Sequence, residues 1–114
     1  MARDLLGKIR KRRECKVVIG RFTFTVRRPT DVEAIALHRS DSAFNSIAAD
    51  FVCGWEGVTT DDLIGDKTAD PVPFDAELWR EWCADRPDFW GPIANAALDA
   101  YREHAQQLEE AAKN

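Results

Sequence analysis

The sequence predicts a mainly helical α+β domain, an N-terminal β-hairpin followed by about four helices. Three observations lead there. Strand-like alternation is confined to residues 15–28, where Phe22, Phe24 and Val26 alternate with Thr23, Thr25 and Arg27. Helical spacing then takes over, with Phe44, Ile47, Ala48, Phe51, Val52 and Trp55 at i, i+3, i+4, i+7, i+8 and i+11. Capping signals punctuate the remainder, Thr30-Asp31-Val32-Glu33 as a capping box and Asp75 as an N-cap. A chain of 114 residues with four Trp and six Phe suits one domain with one modest core, and 45% hydrophobic content argues against disorder.

Residues 1–14 are expected to be a frayed basic arm. Leu5, Leu6 and Ile9 could line one face of a short helix, but KIRKRREC is mostly solvated charge. A single domain over 15–114 follows. Its hairpin pairs strands at about 15–19 and 22–28 across Gly20-Arg21, the glycine supplying a positive φ. Pro29 ends the second strand, and the capping box starts a helix over about 31–39 that should bury Val32, Ile35 and Ala36. Ser40, Asp41 and Ser42 can cap a second helix over about 41–54. Gly54 and Gly57 mark its end, with Trp55 as a plug closing it against Phe74.

Glu56 to Pro73 reads as a long acidic loop. A third helix is expected over about 76–85, with Asp75 as cap, Glu77 in the first turn, and Phe74 stapled on Trp79. Arg86-Pro87 breaks it. The last helix spans about 88–111, with a kink or delayed start at Gly91-Pro92 and near-fourfold apolar spacing through Ile93, Ala97, Tyr101, Ala105 and Leu108. Beyond Tyr101 the helix is polar on most faces, so it should project into solvent or onto another chain.

Charge is divided unevenly. Residues 1–30 carry ten Lys and Arg against Asp4 and Glu14, a net +8, and the other 84 carry six against eighteen, a net −12. A basic arm on an acidic body suits nucleic acid or docking between copies. The cations for electrostatic docking are Arg10, Lys11, Arg12, Arg13, Arg27 and Arg28. Nucleic acid is the weaker reading, because Phe22 and Phe24 are the only aromatic residues near them.

Chemistry-bearing motifs are scarce. No GxxxxGK[ST], GxGxxG or GxSxG occurs, and neither His38 nor His104 sits in a metal or nucleophile spacing. The loop carboxylates do not fit a calcium hand, since starting at Asp61 or Asp62 puts Leu63 or Ile64 at ligand positions. Cys15, Cys53 and Cys83 lack metal spacing, and Cys53 and Cys83 should act as small buried apolar residues. No catalysis, metal or cofactor is expected. With no apolar run of membrane-spanning length and charges where a signal peptide needs its apolar stretch, the chain reads as intracellular, with no membrane partner. The candidate partner-binding residues are aromatic: Trp55, Phe74, Trp79, Trp82, Phe89 and Trp90. For Trp79 and Trp82 the competing reading is burial in the core.

GRFTFTVRRPTDVEA, a helix ending in FVCGWEGV, an acidic loop, and then DPVPFDAELWREWCADRPDFWGPIANAALDAY resemble the tail assembly chaperones of long-tailed bacteriophages, over residues 15–104. The motif positions are Gly54, Trp55, Pro73 and Phe74, as structural markers. The resemblance implies a non-enzymatic protein of the host cytoplasm that binds the helical tape measure protein. It would keep that client soluble while tail tube protein assembles around it, and be absent from the mature virion. It also implies self-association and, in many members, a longer frameshifted product. The arm before Cys15 lies outside the resemblance. The rival is a small nucleic-acid-binding regulator using the arm and hairpin.

Overall fold

A computed structural model describes residues 2–40 and 43–113, with six helices and three strands among them. The first helix is a surprise: α1 spans Ala2–Lys11, where a frayed arm was expected. It buries no residue, and Leu5, Leu6 and Ile9 stay exposed along one side.

Strands β1 (Glu14–Ile19) and β2 (Phe22–Arg27) form the expected hairpin, in antiparallel register from Glu14↔Arg27 to Ile19↔Phe22. Gly20 turns it with φ +60°. A third strand, β3 (Val52–Glu56), adds antiparallel to β2, giving the order β1-β2-β3. Phe24 is paired with Trp55 and Thr25 with Gly54, and the register slips between Thr25 and Val26.

Strand β3 corrects the helix expected over 41–54. Helix α3 is shorter, Phe44–Phe51, and ends without a glycine: Val52 is already extended at φ −84°, ψ 128°. A half-finished sheet explains why. The outer edge of β2 needs a hydrogen-bonding partner, and a strand supplies one for each exposed backbone group. Val52 and Trp55 still reach the core, so the stripe that reads as helix over the twelve residues 44–55 is helical only to Phe51. Gly54 is a strand residue whose role is clearance, since a Cβ there would lie 3.3 Å from Thr25 Cβ and Oγ1. Positions 41 and 42 of the expected Ser40-Asp41-Ser42 cap lie outside the described residues; Ala43 is the N-cap, without a side-chain bond.

Helix α2 (Asp31–Ser40) follows the expected capping box: Glu33 N donates to Thr30 Oγ1 at 3.2 Å, and Thr30 N to Glu33 Oε1 at 3.0 Å. Its burial does not follow expectation. No α2 residue is buried; Val32 is 78% and Ile35 56% exposed. The reason lies in the first turn. Arg27 grips Glu33 with two bonds, 2.8 and 3.0 Å, which sets the helix rotation and turns Val32 and Ile35 away from the sheet.

The expected acidic loop contains a short helix, α4 (Thr60–Ile64). Thr59 N donates to Asp62 Oδ2 at 2.8 Å, and Gly65 closes the helix in the left-handed region at φ +66°. The returning chain pairs Pro71 with Thr59, and Asp62 also meets Arg21. Helix α5 (Ala76–Ala84) is capped by Asp75, whose Oδ1 accepts from Glu77 N and Leu78 N at 3.0 Å each. Helix α6 (Pro87–Lys113) starts at Pro87, suited to a first turn, and runs through Pro92 without the delay expected there.

The core lies between the sheet and α3, α5 and α6. Phe24, Trp79, Phe89 and Ile93 are fully buried, and Phe24 lies 5.1 Å from the ring centroids of both Trp79 and Phe89. Cys83 is buried as expected, whereas Cys53 is exposed on the outer face of β3. No helix among the described residues is long and apolar enough to cross a membrane.

Candidate partner-binding groove

The aromatic residues singled out from sequence come together, and they come together inside. Trp79, Trp82 and Phe89 are buried with Trp55, while Phe74 and Trp90 are half-buried at the edge of the same cluster. Trp82 contacts Trp55, Trp79 and Phe89 at centroid separations of 5.9, 6.1 and 5.1 Å. Three of the four indole N–H groups are bonded to backbone carbonyls within the fold. Trp55 Nε1 donates to Val72 O at 2.7 Å, Trp79 Nε1 to Ala48 O at 3.0 Å, and Trp90 Nε1 to Cys83 O at 2.7 Å. Trp55, Trp79, Trp82 and Phe89 close the fold, and Trp90 borders an open hollow of about 360 Å³ beside Asp50 and Arg80.

An open apolar groove lies elsewhere, between α2, α3 and α6. Its volume is about 790 Å³, and Ile35, Leu37, Phe44, Ile47 and Leu98 line it. Of its lining, only His38, Arg39 and Tyr101 carry polar side-chain ends. Local structure explains the opening. The Arg27–Glu33 fork turns Ile35 outward, α3 starts late enough to leave Phe44 47% exposed, and Leu98 on α6 forms the floor.

A polar clasp closes one end. The Tyr101 hydroxyl donates to Asp31 Oδ1 at 2.8 Å, and His104 Nε2 lies 3.6 Å from Asp31 Oδ2, tying the start of α2 to α6. That bond lowers the Asp31 pKa and raises that of Tyr101, because it favours the charged carboxylate and holds the phenol proton. On the other side of α2, Glu33 is held at about 2, chiefly by Arg27.

The expected docking cations divide. Arg10, Lys11 and Arg12 are exposed on or just after α1. Arg12, Arg13 and Arg28 line a second hollow, of about 500 Å³, that also includes Glu103, His104 and Leu108 of α6. Arg27 is engaged within the fold, bonded to Glu33 and lying 4.5 Å over the Phe51 ring. Arg28 Nη1 donates to Pro29 O at 3.0 Å. Among the described residues no group of three His, Cys, Asp or Glu is placed to hold a metal ion.

Sequence reasoning missed Ile35, Phe44, Leu98 and Tyr101 as a site. A signal was present: α2 carries Val32, Ile35 and Leu37, which cannot share one narrow helical face. At least one had to point outward.

No curated protein and no solved structure matches the chain. A family model described as YdaY prophage protein matches residues 22–114, from the start of β2 to the end, leaving α1 and β1 outside. The match carries phage descent and no more specific role. The chain belongs to the YdaY prophage protein family.

Proposed function

We propose that this phage protein is a tail assembly chaperone that captures the tape measure protein by its apolar helical stripe. The single observation that carries the reading is the open groove of Ile35, Leu37, Phe44, Ile47 and Leu98, on a fold that buries Trp55, Trp79, Trp82 and Phe89 in its core. A client helix would place residues at i, i+3, i+4 and i+7 along that groove. The chemistry is reversible burial without a reaction, so the protein is not an enzyme and needs no cofactor. Release follows when tail tube protein competes for the client, which calls for modest affinity at each site and many bound copies. The chaperone works in the host cytoplasm and leaves before the virion is complete.

The testing experiment is co-expression with the tape measure protein of the same phage, scoring the soluble fraction. The expected result is a soluble client with the wild-type chain and an insoluble one with Ile35→Asp or Phe44→Asp. A client equally insoluble with and without the wild-type chain would overturn the reading.

The exposed cations of α1 favour a second reading, a small nucleic-acid-binding regulator. Its mark would be micromolar or tighter binding to random duplex DNA that falls steeply with salt.

A further inference from the structure

The last three turns of α6 carry an ordered apolar seam on one side of the helix. Tyr101, Ala105, Leu108 and Ala112 follow one another at spacings of four, three and four residues, the repeat by which one helix packs along another. Tyr101 is half-buried by the clasp to Asp31, whereas Ala105 and Ala112 are exposed and Leu108 is 53% exposed. The seam is built to be covered, and its pattern says by what.

We infer that this seam is the interface with a second copy of the same chain, in which two α6 tails pack antiparallel. The small residues, Ala105 and Ala112, hold one heptad position, and the large ones, Tyr101 and Leu108, hold the other. An antiparallel pair sets Ala105 against Leu108 of the second copy and Tyr101 against Ala112 of the second copy, so every layer joins a large residue to a small one. A parallel pair stacks like on like, a void at each alanine layer and a crowd at each large one. Charge agrees with the antiparallel choice. Arg102 and Glu109 lie seven residues apart on one flank of the seam, so the antiparallel pair brings Arg102 of each copy to Glu109 of the other, twice by symmetry.

Arg102 now bonds Asp99 at 2.7 Å on an exposed surface, a contact it can exchange at little cost. Ile9 of α1 shares the hollow beside Leu108 and extends the apolar surface on that side. Four layers make a short interface, so the pair is weak and depends on concentration. Tyr101 also lines the groove, but Arg102, Leu108 and Glu109 lie outside its lining, so the test by variants at those three positions does not depend on the chaperone reading.

The experiment is sedimentation equilibrium of the full chain from about 10 μM to about 1 mM, a range in which short helical interfaces associate. Wild type is expected to show a monomer–dimer equilibrium. Arg102→Glu and Glu109→Arg should each weaken it at least ~10-fold, by placing like charges together, and an equimolar mixture of the two variants should recover most of the loss. In a parallel pair Arg102 and Glu109 would each already face their own kind in the wild type, so neither single variant would weaken it and the mixture would be tighter than the wild type. Leu108→Asp, on an exposed turn, should abolish association while leaving the helical content unchanged. A wild-type chain that stays monomeric at the highest concentration would overturn the inference and leave the seam to a helix of another protein. A mixture no tighter than its components would overturn the antiparallel pairing.

Discussion

Trp55 and Phe74 meet edge to face, ring centroids 5.1 Å apart at 78°, and join strand β3 to the segment leading into α5. The indole N–H of Trp55 is bonded to Val72 O, so one side chain fastens the loop return at two points. Trp55→Ala should therefore cost about 3–5 kcal/mol, as large aromatic deletions in cores do. Trp55→Phe keeps most of the apolar volume and loses the N–H, for about 1–2 kcal/mol. A double-mutant cycle between Trp55→Leu and Phe74→Leu, each of which removes one ring, followed by urea denaturation, should return a coupling of about 0.5–1.5 kcal/mol.

Gly57 gives a sharper test of the turn after β3. It sits at φ +86°, and a Cβ there would lie 2.6 Å from the Arg21 carbonyl oxygen, a backbone atom that cannot swing aside. Gly57→Ala should destabilise by about 2 kcal/mol or more, combining left-handed strain with the clash. Gly65→Ala, also at positive φ but with open space around it, should cost only the strain, about 1 kcal/mol. Thermal unfolding of both variants measures the difference.

Glu33 makes stability depend on acid pH. Its folded pKa of about 2 lies below its ordinary value of 4.5, so the unfolded chain takes up a proton first as pH falls. The Arg27–Glu33 contribution is thus complete above about pH 4.5 and is lost as pH drops towards 2. The side chain is about a third exposed, which screens the pair, and the expected loss is about 1–2 kcal/mol. Glu33→Gln should remove that part of the pH dependence, measured by urea denaturation between pH 6 and pH 2.5.

The Asp31–Tyr101 clasp should govern the motion of α2, a helix with no buried residue. Tyr101→Phe removes the hydroxyl and nothing else. The amides of α2 should then exchange with solvent about threefold faster or more, while those of α3 and the central strand β2 keep wild-type protection. Equal acceleration in all three elements would show that the clasp supports the whole fold and not α2 alone.

Much of the architecture was legible where local chemistry and tertiary demand agree. The hairpin, the Thr30–Glu33 box, the Asp75 cap and the long last helix all rest on short-range rules. What failed depended on neighbours distant in sequence. Val52 and Trp55 keep the helical stripe of α3 on paper, yet the open edge of β2 draws their segment into a strand. Rotation of α2 is set by Arg27, a residue outside that helix, so its apolar residues could not be assigned a direction from periodicity. The groove follows from that rotation. The aromatic cluster was found, but a list of large rings does not tell a core from a docking surface until the packing around each indole is known.

That distinction gives the most direct test of the groove. Phe44 and Ile35 are 47% and 56% exposed, so Phe44→Asp and Ile35→Asp should change folding stability by no more than about 1 kcal/mol. Trp79 is fully buried with its N–H bonded to Ala48 O, and Trp79→Ala should cost about 3–5 kcal/mol. If the client binds in the groove, the two surface variants should lose client solubilisation with wild-type melting behaviour, whereas the core variant should lose both together. Surface variants that retain full activity would move the client off this groove. The aromatic cluster could take its place only by opening, and opening would expose Trp79 and Phe89, visible as a red shift of tryptophan emission when client is added.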